Sequence, residues 1–336
     1  MAHLAFRVDG GPRIGYGHLV RTGALVQQCL TEGHTATVAT TTPEHAREIC
    51  PGGVEIVDLP SRGDPTPFVQ WLSSEEPDLA FTDAYPVDTA YQGEIRDRVP
   101  LVVLQDRDRH TVDADAFVNP NLYAKTLDYE FAGSTPATYL GTEYVLFREG
   151  IRSLASREPL WHEQPTRALV SMGGSDVRER TPAVVRAFDD LSVAVEVIVG
   201  PGFSPAQERT IERAAEAVSA EVDVVRDPPD LPTRMFRADF AVTTASTTTY
   251  ELLALGTPFV CQSVVDNQQP IADILGERDL ASVVAPGSET PAFSEAIRAY
   301  VGDAGLRRDR ATRGQQLVDG RGTERIAAVC SRTATD

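Results

Sequence analysis

The chain has 336 residues, 42% of them hydrophobic, which is enough length and apolar content for two ordinary domains with buried cores and excludes wholesale disorder. Its 49 acidic residues against 31 basic ones give a formal charge of −18, and Lys125 is the single lysine. That balance excludes an extended basic face for nucleic acid or for an anionic membrane; a lysine-poor, acid-rich surface is expected of a protein in a salt-rich cytoplasm, where screening removes much of the self-repulsion. The start of the chain has no basic region followed by an apolar run, and no stretch of about eighteen apolar residues occurs, so a cytoplasmic protein is expected. Cys29, Cys50, Cys261 and Cys330 lie far apart without a C-x-x-C pair and read as reduced, buried side chains, not as a zinc site or a disulfide framework.

In chain order, Leu4-Ala-Phe-Arg-Val reads as a strand, followed by a glycine-rich turn and a helix carrying Leu19, Leu25, Val26, Cys29 and Leu30 up to Gly33. Strands are predicted at His34–Thr40, Val54–Leu59, Leu79–Thr82 and Leu101–Leu104, with helical stretches around Pro43–Ile49, Pro67–Leu72 and Thr89–Val99 between them. The polar stretch Ser153–Pro165 is expected to link a first domain (1–155) to a second (166–336). The second round opens at Ala168-Leu-Val-Ser-Met and continues with strands at Val193–Val199, Val222–Val225, Phe240–Thr243 and Phe259–Val264. Alternation of this kind predicts an α/β protein of two Rossmann-like, doubly wound parallel sheets facing a central cleft. The last stretch, Ala304–Thr333, reads as one or two polar helices broken near Gly320 and Gly322 that pack back on the first domain.

Three strand-to-helix junctions carry the chemistry. In the first, Arg7-Val-Asp9 is followed by Gly15-Tyr-Gly17-His18-Leu-Val-Arg21: the glycines permit close approach of a ligand, and His18 falls in the first helical turn, where the dipole favours a neutral imidazole able to take a proton. The same residues also fit a plain tight turn with His18 hydrogen-bonded locally. In the second, Met172-Gly173-Gly174-Ser175-Asp176 fits a diphosphate at a helix start and equally an N-cap by Ser175 or Asp176. In the third, five threonines and Ser246 lead into a helix containing Glu251: hydroxyls beside a helix N-terminus suit phosphate, and a carboxylate one turn in suits a ribose, against a capped helix with a solvated glutamate. Asp266-Asn267-Gln268 follows the next strand.

Together these residues resemble the nucleotide-sugar hydrolases of pseudaminic acid biosynthesis and the related spore-coat polysaccharide proteins. The likeness rests on Arg7-x-Asp9, Gly15-x-Gly17-His18-x-x-Arg21, Thr82-Asp83-Ala-Tyr85, Leu140-Gly141-x-Glu143-Tyr144-x-Leu-x-Arg148, Ser171-Met-Gly-Gly-Ser-Asp176 and the Glu251 helix with Asp266-Asn267-Gln268 behind it, in order along most of the chain. The resemblance implies a GT-B fold and metal-independent hydrolysis of UDP-2,4-diacetamido-2,4,6-trideoxy-β-L-altropyranose to UDP and free sugar. It makes His18 the active-site histidine, sets Tyr85 near the sugar and Asn267 in the sugar pocket, and gives the turns at Gly173 and Ser246, with Glu251, to the nucleotide. Gly10-Gly11-Pro12 and Ala84 depart from the pattern on the sugar side of the pocket.

The expected mechanism has His18 deprotonate water for inverting attack on the anomeric carbon, Asp9 orienting His18, while Gly15, Gly17, Arg21, Gly173, Gly174, Ser175, Ser246, Thr247, Glu251 and Gln268 hold the substrate. Arg7, Arg13 and Arg21 are expected to offset the anionic background around the diphosphate. Asp106-Arg-Asp108 and Asp113-Ala-Asp115 have the form of manganese-binding pairs, but with 26 aspartates in the chain about two such pairs arise by chance, and two occur. No metal and no cofactor is therefore expected. The expected partner is a UDP-sugar, with neither nucleic acid nor membrane, and the number of chains in the assembly stays open, a monomer included. Two other readings fit the same residues: a GT-B glycosyltransferase passing the sugar to an acceptor, and a non-catalytic UDP-sugar binder.

Overall fold

The computed structural model describes residues 1–12 and 14–335. The chain divides into two compact units, the first formed by Met1–Glu149 together with the chain from Gly320 on, the second by Gly150–Asp319. The predicted linker, Ser153–Pro165, thus lies within the second unit, and residues beyond Gly320 belong to the first.

In the first unit the strands are β1 (His3–Val8), β2 (Thr35–Thr40), β3 (Glu55–Asp58), β4 (Leu79–Asp83), β5 (Leu101–Leu104), β6 (Ala116–Asn119) and β7 (Ala137–Leu140), in the spatial order 3-2-1-4-5-6-7 with every neighbouring pair parallel. Helices α1 (Gly17–Thr31), α2 (Pro43–Ile49), α3 (Thr66–Glu75) and α4 (Thr89–Arg96) alternate with them. The central strands are apolar on both faces because both faces are covered. Along β1, Leu4, Phe6 and Val8 enter one core layer while Ala5 points into the other, with Phe68, Leu72 and Ile95. The first layer also takes Leu25, Val26 and Cys29 of α1.

The second unit begins at Gly150, within α5 (Glu149–Ala155), and repeats the plan with β8 (Arg167–Ser171), β9 (Ala194–Val199), β10 (Val222–Arg226), β11 (Phe240–Thr244), β12 (Phe259–Gln262) and β13 (Ser282–Val284), ordered 10-9-8-11-12-13 and again parallel throughout. Its further helices are α6 (Thr181–Arg186), α7 (Pro205–Glu216), α8 (Leu231–Arg237), α9 (Thr247–Leu255), α10 (Gln269–Glu277), α11 (Thr290–Gly302) and α12 (Ala304–Leu317). Valines of β8, β9, β11 and β12 interlock with Phe188, Phe293 and Ile297 on one face. No helix among the described residues is long and apolar enough to cross a membrane.

Strands β6, β7 and β13 escaped the sequence reading. Each has only three or four residues, and β7 and β13 carry half-exposed or exposed positions that give no clear apolar run.

The last helix, α13 (Gly322–Thr333), joins the first unit by burying Ile326, Ala327, Val329 and Cys330 in the layer that holds Leu25, Val26 and Cys29. Its first residue lies against the backbone of Tyr144 and Val145, so close that any Cβ there would collide with main-chain atoms. Gly322→Ala is therefore expected to push α13 outward and cost about 1 to 3 kcal/mol, read as a lowered Tm. An unchanged melting curve would mean that this junction yields freely.

Candidate active site

The strand order of the first sheet reverses between β1 and β4, the position where open parallel sheets carry ligands beyond their carboxyl ends. The loop after β1 closes on itself: the Gly15 N–H donates to the Gly11 carbonyl at 2.8 Å and the Gly11 N–H to the Gly15 carbonyl at 3.1 Å, with Gly15 at φ +95°. This delivers the chain into α1 with Gly17 as its first residue and His18 as its second.

His18 is buried, and its Nδ1 lies 2.7 Å from Asp83 Oδ1 at the end of β4. Burial alone would raise the Asp83 carboxyl, but the Arg21 guanidinium and the His18 ring hold it far below the usual carboxylate range. An ionised carboxylate only accepts, so Nδ1 carries a proton, and in the neutral ring the lone pair is on Nε2. Arg21 Nη2 at 3.1 Å from Nδ1 is then a second donor gathered by the same carboxylate. Arg21 donates to Asp83 through Nε (2.6 Å) and Nη2 (2.5 Å), and Thr22 Oγ1 adds a third donor at 3.1 Å.

The other edge of the Arg21 guanidinium donates to Asp106, just beyond β5, through Nη1 (2.9 Å) and Nη2 (3.1 Å). Asp106 also accepts from Asn121 Nδ2 (3.1 Å) and the Tyr85 hydroxyl (3.3 Å). The Tyr85 ring stands edge-on to His18 with centroids 4.7 Å apart, and Arg109 lies over it at 4.3 Å. Burial, with Asp106 nearby, pushes the Tyr85 phenol up to about 12, which keeps it a donor. Two carboxylates therefore surround one guanidinium beside an imidazole that can take a proton through Nε2.

Asp9 does not reach this cluster. Its carboxylate is fully buried and pairs with Arg7, with Arg62 Nε (3.3 Å), and with the Thr41 N–H (2.8 Å) and hydroxyl (2.9 Å) at the end of β2. The expectation that Asp9 orients His18 is thus corrected: that position is held by Asp83, because β4 and not the residue after β1 lies under the ring. Burial would raise Asp9, but Arg7 and the Thr41 donors bring it down to about 2. The unfolded chain, with an ordinary carboxyl near 3.8, binds a proton first. This pair thus contributes about 2 kcal/mol above pH 4 that is lost as pH falls towards 2. Asp9→Asn should flatten that part of the acid slope in thermal unfolding followed from pH 5 to pH 2; an unaltered slope would remove Asp9 as its source.

Arg7 and Arg21 are likewise not free counter-charges for a diphosphate, since each is already paired with buried carboxylates. Arg13 lies outside the described residues. Of the aspartate pairs, Asp106 serves Arg21, while Asp113 and Asp115 both hold Arg96.

In the second unit the two remaining junctions and the Asp266-Asn267-Gln268 segment lie at the carboxyl ends of the adjacent strands β8, β11 and β12, with the reversal of order between β8 and β11. Gly173 adopts φ +88°, and the Gly174 carbonyl is gripped by the Gly202 N–H at 2.9 Å; the Ser175 carbonyl accepts from Gln207 Nε2 at 3.2 Å. Asp176 caps α6, accepting from the N–H groups of Arg180 (2.9 Å) and Thr181 (2.8 Å) and the Thr181 hydroxyl (2.6 Å). Asp176 thus ties down the first turn of α6, whose N-cap position is Arg180.

At β11 the geometry differs. Ser246 precedes α9, but its hydroxyl accepts from Thr244 Oγ1 (3.1 Å) and makes no side-chain cap to the helix. Thr247 is exposed, and Glu251 is half-buried one turn in. Asn267 is exposed on the 3-10 turn before α10, whereas Gln268 Oε1 accepts from the Val264 N–H (3.0 Å) and closes that loop.

Asp83 and Asp106 are the site residues that sequence reasoning assigned no role. Asp83 was visible within Thr82-Asp83-Ala-Tyr85, and its place at the end of a fully buried strand was the available signal; Asp106 carried none beyond a chance pair.

No family model matches the chain. The spore coat polysaccharide biosynthesis protein SpsG of Bacillus subtilis is 23% identical over 97% of both chains. Among solved structures, Acinetobacter baumannii MurG superposes with a TM-score of 0.71 at 12% identity, covering 99% of this chain and 100% of that one. Phytolacca americana UGT2, solved with UDP-2-fluoro-glucose and pterostilbene, gives 0.71 at 11% identity over the whole of both chains. The two parallel-sheet α/β units of this chain form a GT-B fold.

Proposed function

We propose that the protein is a UDP-sugar-dependent enzyme of GT-B type in surface polysaccharide biosynthesis, with His18 as the general base that deprotonates the nucleophile attacking the anomeric carbon. The observation that carries this reading is the His18–Asp83 pair: a buried imidazole with its Nδ1 proton on an ionised carboxylate and its lone pair on Nε2, beside the sheet's reversal of order. A non-catalytic binder has no need of a proton acceptor at that position. UDP is a good leaving group, so the second unit need only stabilise the charge growing on the β-phosphate. The amide end of α9, without a side-chain cap and flanked by Thr247 and Ser246, supports that role; Glu251 one turn in suits the ribose and Asn267 the sugar.

The leading reading is transfer to an acceptor hydroxyl, the reaction class that fits the likeness to UGT2 with its sugar nucleotide and pterostilbene, and the likeness to SpsG suggests polysaccharide synthesis. Hydrolysis of a UDP-linked diacetamido-trideoxy sugar is the second reading, favoured by the order and spacing of Gly15-x-Gly17-His18-x-x-Arg21 and Asp83-x-Tyr85. Incubating the protein with UDP-linked sugars, diacetamido sugars among them, in ¹⁸O-water with and without glycan acceptors tests both. UDP release only with acceptor, giving a glycosylated product, supports transfer. Acceptor-independent release with ¹⁸O on the anomeric carbon supports hydrolysis, and binding of UDP-sugars without release under any condition would overturn both.

A further inference from the structure

The Arg21 guanidinium is held on both edges, two donors to Asp83 and two to Asp106. A single carboxylate would neutralise it. Counting Arg21 as +1 and Asp83 and Asp106 as −1 each, these three side chains sum to −1 beside His18. Asp83 is almost fully buried and the Asp106 side chain is 15% exposed, so this charge is only weakly screened. Among the described residues, the charged or titratable groups shown to face His18 are Asp83 from β4, Tyr85 from the loop after it, Arg21 from its own helix and Asp106 from the loop after β5. Arg109, from that same last loop, stacks on Tyr85 but is exposed, and solvent screens its charge.

We propose that Asp106 is a positioning residue that, through Arg21, supplies the excess negative charge stabilising the His18 imidazolium once the base has taken its proton. Asp83 fixes which nitrogen holds the proton; Asp106 adds the second negative charge on the far edge of Arg21. Asp106 does this without touching the imidazole, and it also accepts from the Tyr85 hydroxyl, so the ring standing edge-on to His18 is set by the same carboxylate. The arrangement explains why an acidic residue is buried on the far side of an arginine that already has a partner. The proposal rests on His18 acting as a base, but its test does not need turnover.

The test is NMR titration of the His18 imidazole in the full chain, its signal assigned by comparison with His18→Gln. In Asp106→Asn, which keeps one of the two acceptor oxygens for Arg21 but removes the charge, the His18 midpoint should fall by about one pH unit. Asp106→Glu should bring it back most of the way. Asp106→Ser offers a second neutral variant should asparagine disturb folding, with the same downward shift expected. An unchanged midpoint in a folded neutral variant, or an equal fall in Asp106→Glu, would overturn the proposal and leave Asp106 a packing residue. Where a UDP-sugar is turned over, the acid limb of kcat/KM should move down in parallel. A shifted midpoint in a protein that turns over no UDP-sugar would overturn the enzymatic reading while leaving this electrostatic one standing.

Discussion

Replacing His18 by alanine should lower UDP release from the substrate about 10²- to 10⁴-fold while leaving UDP affinity within a few-fold of the parent, the range associated with loss of a general base. The separation follows from where the groups lie. His18 is on α1 of the first unit, whereas the candidate nucleotide-holding residues, the amide end of α9 and Glu251, belong to the second. Removing an imidazole that is 9% exposed leaves a small cavity but no unpaired charge, because Asp83 keeps Arg21 and Thr22 as donors. The variant should therefore fold, with a Tm close to that of the parent. Turnover and UDP binding measured on the same preparation check it: wild-type turnover in the variant would strip His18 of its role, and a parallel loss of UDP binding would make it a ligand contact.

Much of the architecture was legible because parallel strands buried on both faces write long apolar runs into the chain, as at Leu79–Asp83 and Phe240–Thr244. The short strands β6, β7 and β13 were not, since three or four residues, partly exposed in β7 and β13, do not separate from loop. The site was legible one residue at a time and not as a constellation. Glycines around position 15 and a histidine at a helix start are local features. The partner of that histidine lies 65 positions away, and strand order, which sequence patterning does not rank, decides which carboxylate lies beneath it. Asp9 was the nearer carboxylate in sequence and drew the role, but the pull of Arg7 and the Thr41 amide turned it towards β2. Asp106 was set aside because aspartate is abundant. Only the second edge of Arg21 distinguishes it from a chance pair.

The same logic makes Asp83 the most consequential single atom exchange in the molecule. In Asp83→Asn one carboxylate oxygen becomes an amide that donates. Both oxygens of Asp83 accept from Arg21, Oδ2 from Nε and Oδ1 from Nη2, but Nη2 also donates to Asp106; the carbonyl therefore stays on Nε and Thr22, and the amide takes the place of Oδ1, where it faces His18 Nδ1 and makes that nitrogen accept. The proton moves to Nε2, and the base loses its lone pair where the nucleophile needs it. Turnover should fall about 10⁴-fold, the size seen where asparagine inverts a catalytic histidine's tautomer. Because Arg21 also loses half of its charged partners in a buried site, stability should drop by about 2 to 3 kcal/mol, a loss that His18→Ala does not share. Imidazole ¹⁵N shifts read the tautomer directly, and denaturant unfolding reads the stability. Retained turnover with Nε2 protonated would disprove the base mechanism, while a parent-like tautomer with lost turnover would move Asp83 from orienting His18 to some direct dealing with the substrate.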